Sequence, residues 1–288
     1  MENQNDLIPS KQSSNTLEHL ENNSVDVVSV DSRESKVILC YPIISGNGGK
    51  HVATMLAHKY KELYPNKKVA LIDFDFHHPH FIERFISGVS QHGIDNLLDY
   101  IDGDSLPKQL FLENMTTLKS GVDYLRGTKL GDKHIFICKS HIEKILKLLR
   151  SHYDKVFVST SSSFDNAGTV YGINGADEVL LIAKNNFSNL RKIEEVYPDL
   201  KRLFFKERPM KLVINQYNDV TGFNLGNFIT KHNVEGIGII PYQVEMCDGA
   251  NLMKNKLLNL NMDTKRKKER DLYKEILGKI VTIPTESK

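Results

Sequence analysis

Cysteine is scarce in this 288-residue chain, and long apolar runs are absent. The three cysteines, Cys40, Cys138 and Cys247, are far apart and odd in number, which argues against a disulfide framework. Two of them sit in or beside apolar runs, so buried thiols in a reducing compartment are expected. No run approaches the ~20 apolar residues that cross a bilayer. The first residues are polar and acidic and lack a signal-peptide pattern, which predicts a cytoplasmic protein. Excess charge is missing too. A net charge of +2 neither favours nor disfavours nucleic acid or anionic lipid, so any such contact needs a local patch. There is no internal repeat.

What remains is an ordinary globular composition, 40% hydrophobic and 26% charged, with enough length for one large core. Residues 1–35 stand apart. They are rich in Asn, Ser, Glu and Asp with isolated hydrophobics, and cannot bury enough apolar surface to offset chain entropy. A disordered N-terminal arm is expected there, and a single domain over 36–288.

Within that domain, apolar strand-like runs fall at 37–42, 68–73, 115–118 with 122–125, 155–160, 178–183, 211–215 and 236–240. Helix-patterned stretches separate most of them, at 50–63, 80–86, 94–100, 140–151, 190–204, 224–232 and 243–255. Strands apolar on both faces and alternating with helices predict an α/β fold, a mostly parallel twisted sheet with helices on both faces. Right-handed crossovers put the turn after the first strand at the carboxyl edge, where such sheets bind ligands.

That turn, Ser45-Gly46-Asn47-Gly48-Gly49-Lys50, joins a β-leaning run to a helix-like one. Strand, glycine loop and helix N-terminus together make an anion cradle. Glycines let backbone N–H groups converge, the helix dipole favours negative charge, and a lysine reaches the phosphates. Against G-x-x-x-x-G-K-[ST], the run Ile44–His51 keeps Gly49-Lys50 but lacks the leading glycine and the final hydroxyl.

Further residues carry a resemblance. The loop Ser45–His51 aligns with K-G-G-x-G-K-[ST]. Ile72-Asp73-Phe74-Asp75 matches I-D-x-D, and Tyr153–Ser162 follows Y-D-x-V-x-x-D-T-P-P. Ala176–Ala183 matches an A-D-E strand, Val213-Ile214-Asn215-Gln216 a V-x-N-R segment, and Ile237–Tyr242 a G-x-I-P-Y segment. With these landmarks in order from about Val37 to Asn255, the chain resembles the ParA/MinD superfamily of deviant-Walker-A P-loop ATPases. The resemblance implies ATP or ADP binding through Gly46, Asn47, Gly48, Gly49, Lys50, His51 and Val52, with Asn215 and Pro241 near the base. It implies Asp75 as the residue that orients attacking water, and a homodimer formed through the loop face.

The departures are selective. Ser45 replaces the lysine that reaches across the family's dimer, and His51 replaces the hydroxyl that ligates Mg2+. Ser159 replaces the carboxylate that holds the metal's water shell. Imidazole suits a hard, oxygen-preferring ion poorly. Phosphoryl transfer rests on positioned charge, so little or no hydrolysis is expected. These traits resemble the TadZ/CpaE branch, which implies a positioning or scaffolding factor for a secretion, pilus or conjugation machine. The alternatives are an active ParA-type ATPase in plasmid or chromosome partition, and an interaction protein whose loop binds no nucleotide.

Several other features admit two readings. His51 with His77, His78 and His80 is either a transition-metal cluster or a polar loop with solvated imidazoles; no metal site is assigned. Thr160–Ser163 is a phosphate-facing hydroxyl run or a solvated loop. The basic run 265–270, followed by Leu272, Ile276, Leu277 and Ile280, is a membrane-surface anchor or the fold's last packed helix. Lys139, Lys144, Lys147 and Arg150 make a basic helix face, and solvation accounts for it more simply than DNA phosphates do.

Overall fold

The computed structural model describes residues 36–78, 92–128, 133–203, 210–217, 230, 234–242 and 264–280. They form an eight-stranded sheet in the order β3-β4-β2-β5-β1-β6-β7-β8. The strands are β1 Lys36–Pro42, β2 Val69–Phe74, β3 Thr116–Thr117, β4 Asp123–Leu125, β5 Lys155–Thr160, β6 Glu178–Ala183, β7 Met210–Tyr217 and β8 Glu235–Pro241. All pairings are parallel except the short antiparallel β3–β4 pair at one edge. The helices are α1 Gly49–Leu63, α2 Leu98–Asp102, α3 Lys108–Glu113, α4 Lys139–His152, α5 Ala167–Gly175, α6 Phe187–Leu203 and α7 Thr264–Lys279.

The continuous apolar strands are continuous because both faces of the sheet are covered. Successive side chains of a strand alternate, so Val37, Leu39 and Tyr41 join the core under α4, α5 and α6. Ile38 and Cys40 join a second core on the opposite face, with Val52, Leu56 and Tyr60 of α1 and Tyr273 and Ile276 of α7. Every residue of β2, β5 and β6 is buried.

The two strands nearest the candidate loop lie on either side of β1. β5 pairs with one edge of β1 and β6 with the other. The chain leaves β1 for β2, beyond β5, while β6 lies on the opposite flank. The strand order therefore reverses beside β1, which is where open α/β sheets accept ligands.

Some expectations differ from what is observed. The helix expected at 94–100 is split into a 3-10 turn at Ile94–Asn96 and α2. Helices α3 and α5 were not anticipated; α5 is Gly-rich and starts from the Asn166 N-cap, whose side chain accepts from Thr169 N at 2.9 Å. Expected helices at 80–86 and 243–255 lie outside the described residues, as do the arm over 1–35 and nearly all of 224–232.

The C-terminal segment settles between its two readings. Tyr273, Ile276 and Ile280 are buried in the core that α1 shares, and Leu277 packs against it. These positions follow i, i+3, i+4, i+7 spacing and form the docking stripe of a packed helix. Gly238 of β8 admits the stripe closely: a Cβ there would sit 2.3 Å from Ile276 Cγ1. The apolar residues proposed for a membrane anchor are therefore engaged with the protein itself, and only Leu272 and Leu277 keep partial exposure. No helix among the described residues is long and apolar enough to cross a membrane.

Candidate functional site

The β1–α1 loop has the backbone of a phosphate cradle. Gly46 and Gly48 sit at φ of 85° and 87°, the left-handed region that side-chain-bearing residues avoid. Gly48 is also hemmed in: a Cβ would lie 2.3 Å from Asn215 Nδ2. Gly48 is the N-cap of α1, and no side chain caps that helix start. The first-turn N–H groups of a glycine-capped helix are what an anion binds.

Lys50, in the first turn of α1, turns inward. Its Nζ lies 3.0 Å from Asp73 Oδ2 and 3.3 Å from Asp75 Oδ2, and it also donates to the carbonyl of His78. Strand alternation explains why both carboxylates reach it, since residues 73 and 75 share one side of the chain at the end of β2. Asp73 is fully buried. Burial pushes its carboxyl up to about 6, while Lys50 pulls the other way. Its second oxygen accepts from Ser159 Oγ at 3.0 Å and from the Asp75 N–H at 3.0 Å. Asp75 in turn accepts the N–H groups of His77 and His78, each at 3.2 Å. Both carboxylates thus serve the protein's own donors, and an incoming phosphate must compete with them for Lys50.

Two positions tied to magnesium by resemblance are engaged elsewhere. His51 faces the C-terminal helix, with Nε2 3.1 Å from the Tyr273 hydroxyl. Burial lowers its imidazole to about 4, so the ring is neutral at neutral pH. Ser159 donates to Asp73, as above. Neither group presents the anionic oxygen that a hard cation prefers.

The remaining loop positions divide between cradle and scaffold. Asn47 is buried; its N–H donates to Ile44 O at 3.1 Å, and its amide donates to Ile182 O at 3.2 Å and to Asn189 Oδ1. Asn189 is itself held by Asn186 Oδ1 at 2.8 Å, so an amide chain ties the loop to the start of α6. Asn215 Nδ2 donates to Asn47 O at 2.8 Å and clamps the loop from β7. Val52 is in the core, its N–H donating to Gly48 O at 2.9 Å. Pro241 ends β8, with its register partner Tyr217 on β7. The residues brought together are Gly46, Gly48, Gly49 and Lys50 with Asp73, Asp75 and Ser159.

The histidines do not converge. His51 meets Tyr273, His77 Nε2 meets Asp165 Oδ1 at 2.8 Å, and His78 Nδ1 lies 3.6 Å from Asp75. His80 lies outside the described residues, and no group of three metal-ligating side chains occurs among those described. The hydroxyl run is partly structural: Ser161 Oγ bonds Thr169 Oγ1 at 2.9 Å and receives Asn166 Nδ2 at 2.9 Å, fixing the start of α5. The basic face of α4 is largely matched by acids, with Arg150 bidentate on Asp177 at 2.7 and 2.8 Å and Lys144 3.2 Å from Asp104.

Solved structures share this architecture. The fold is ParA/MinD-like. A ParA family ATPase from Chlorobium tepidum matches with a TM-score of 0.72 at 16% identity, over 83% of this chain and 98% of that one. A chain of the MinC:MinD cell division complex from Aquifex aeolicus gives 0.68 at 16%, over 88% and 99%. The septum site-determining protein MinD from Pyrococcus horikoshii, complexed with Mg-ADP, gives 0.66 at 14%, over 86% and 96%. No family model and no curated protein matches the chain. At such identities the ParA/MinD-like likeness is one of fold.

Asp73, Asn189 and Tyr273 were missed as members or supports of the site. Asp73 was legible, because it sits two residues before Asp75 in the same strand end. Asn189 and Tyr273 come from distant segments and carry no local signal.

Proposed function

We propose that this chain is a ParA/MinD-like protein that binds ATP or ADP weakly at the β1–α1 loop and hydrolyses it little or not at all. It works as a cytoplasmic positioning or scaffolding factor for a larger machine, of the secretion, pilus or conjugation type. The observation that carries the reading is the Lys50–Asp73–Asp75 cluster, in which the cradle's lysine is already bound by two carboxylates. Gly46, Gly48, Gly49 and Lys50 would hold the phosphates, with Asn215 and Pro241 toward the base. Asp75 keeps the position that orients water, but its oxygens are engaged.

Hydrolysis needs charge aimed at the transferring phosphoryl group, and loss of one such group typically costs ~10²–10³ in rate. Here the cross-dimer cation is Ser45, the metal's hydroxyl is His51 and its carboxylate is Ser159. Ser45 and Gly46 are exposed, which leaves the loop face open to a second copy or to a protein partner. Of the MinD neighbours, one is complexed with Mg-ADP and one belongs to a complex with MinC, which supports both a nucleotide and a protein partner.

Calorimetry with ATP and with ADP, each with and without Mg2+, tests the reading. Weak binding is expected, with little dependence on Mg2+ and phosphate release near background. Absence of heat at millimolar nucleotide would leave a purely structural role, and turnover typical of a partition ATPase would overturn the proposal.

A further inference from the structure

The turn that follows β2 reaches back into the cradle. Phe76 fixes its base, buried against α5 where a Cβ on Gly168 would lie 2.7 Å from the Phe76 ring. Two contacts hold its tip. The backbone carbonyl of His78 accepts from Lys50 Nζ, and His77 Nε2 donates to Asp165 Oδ1 at 2.8 Å. Between them, Asp75 Oδ1 gathers the N–H groups of His77 and His78, each at 3.2 Å, and its Oδ2 lies 3.3 Å from Lys50 Nζ. His78 Nδ1 adds a weaker contact, 3.6 Å from Asp75 Oδ2. Carbonyl and carboxylate oxygens thus sit on a lysine that in a phosphate loop holds phosphate oxygens.

Asp165 stands on a rigid mount. It directly precedes Asn166, the cap of α5, which donates to Ser161 Oγ at 2.9 Å and accepts from Thr169 N at 2.9 Å. The bond from His77 holds the Asp165 carboxyl below its ordinary range; partial burial opposes this, and Ser163 and Asn166 assist. An ionised Asp165 only accepts, so Nε2 carries the His77 proton. The bond therefore ties the turn after β2 to the connection between β5 and α5. Asp165 is 60% exposed and His77 28%, so this tie opens without disturbing either core.

We propose that the turn Asp75–His78 is an internal plug of the β1–α1 cradle, and that the His77–Asp165 bond is its latch. The inference rests on the reading of Lys50 as a phosphate-binding residue. With the latch closed, the His78 carbonyl occupies Lys50, and an incoming phosphate has to displace it. With the latch open, the tip swings away about the Phe76 anchor, and Lys50 loses one of its internal partners. Closed turn and nucleotide compete for one side chain. The apparent affinity is then the intrinsic affinity reduced by the fraction of molecules in the open form.

The test compares the full chain with its Asp165→Ala and His77→Ala variants in two measurements. ATP affinity is read by calorimetry, and exchange of the His77 and His78 amide protons by NMR. Opening the latch should quicken that exchange in both variants and tighten ATP about three- to tenfold, the weight of a hydrogen bond or so. The two variants separate a latch from a charge effect. Asp165→Ala also removes a negative charge at the edge of the cradle, which alone would tighten ATP; His77→Ala keeps that carboxylate. A latch predicts tightening by both, with the double variant gaining no more than either single change. His77→Phe, which keeps a ring and loses the bond, takes the place of His77→Ala if the alanine variant unfolds. An ATP affinity that the His77 variant leaves unmoved or weakens overturns the plug, whatever Asp165→Ala does, and leaves nucleotide binding standing. Absence of heat with millimolar ATP in every variant removes the nucleotide reading itself, and the plug falls with it.

Discussion

Lys50 and Asp73 are both buried, with side chains 7% and 0% exposed, so each depends on the other for charge compensation. Asp73→Asn removes the closer of Lys50's two carboxylates and keeps the shape of the site. The lysine is then freer to meet phosphate, and ADP affinity should rise about tenfold, the equivalent of ~1.4 kcal/mol, in a calorimetric titration. An unchanged affinity would mean that Lys50 does not contact nucleotide. Titration of single residues also shapes stability. Burial lowers both His51 and His58 to about 4, and neither ring nitrogen of His58 has a hydrogen-bond partner among the described residues. In the unfolded chain both rings take a proton near pH ~6.5, whereas the folded state resists until about 4, so stability present above that range is lost as pH falls through it. Asp73 opposes this, since a carboxyl raised to about 6 stabilises the folded state as pH falls. Two histidines outweigh one carboxyl. The urea midpoint should therefore drop between about pH 7 and pH 5, and His58→Gln should flatten that drop.

At the scale of elements, legibility tracks how local the signal is. β5 and β6 coincide with the residues expected, because a strand buried on both faces reads as an unbroken apolar run. α5 was missed because its sequence, AGTVYGING, is rich in small residues and has no 3.6-residue stripe. It is helical through tertiary contact: Gly168 and Gly172 let it approach Phe74, Phe76 and Leu39, where a Cβ would crowd them. The site divides the same way. The glycines and Lys50 were legible from the loop, but the turning of His51 toward α7 depends on Tyr273, 222 residues away. For α7, anchor and packed helix share one amphipathic pattern, and only the cores opposite the stripe separate them. Its docking yields a measurable expectation. Ile276→Ala should cost about 2–5 kcal/mol in chemical unfolding, because it opens a cavity against Gly238 and α1. A cost below ~0.5 kcal/mol would instead indicate a helix free to leave the domain. Deleting residues 265–288 should expose the core face of α1 and destabilise the whole chain.

For the molecule as a whole, the proposed function makes three separated positions act together in ATP hydrolysis, and they lie on different elements. Ser45 is on the exposed loop, His51 on α1 and Ser159 at the end of β5. Groups that act as a unit are strongly non-additive, so restoring one of them should give no turnover. The triple change Ser45→Lys, His51→Thr and Ser159→Asp is the informative one. Aspartate at 159 places a third carboxylate within hydrogen-bond reach of Asp73, where Ser159 Oγ now lies 3.0 Å from Oδ1. Without metal, like charges in a buried site repel, and the thermal midpoint should fall by several degrees. Threonine at 51 gives up the bond to Tyr273 and adds a further, smaller loss of about 1 kcal/mol. Mg2+ with ATP should reverse most of that loss, because the new carboxylate and hydroxyl suit a hard cation. Recovery of the midpoint by Mg-ATP in the triple variant, and not in the wild type, would tie the proposed lack of hydrolysis to these three side chains. Recovery of the wild type by Mg-ATP to the same extent would show that the natural loop already holds the metal, and the reading of Ser45, His51 and Ser159 as losses would fail.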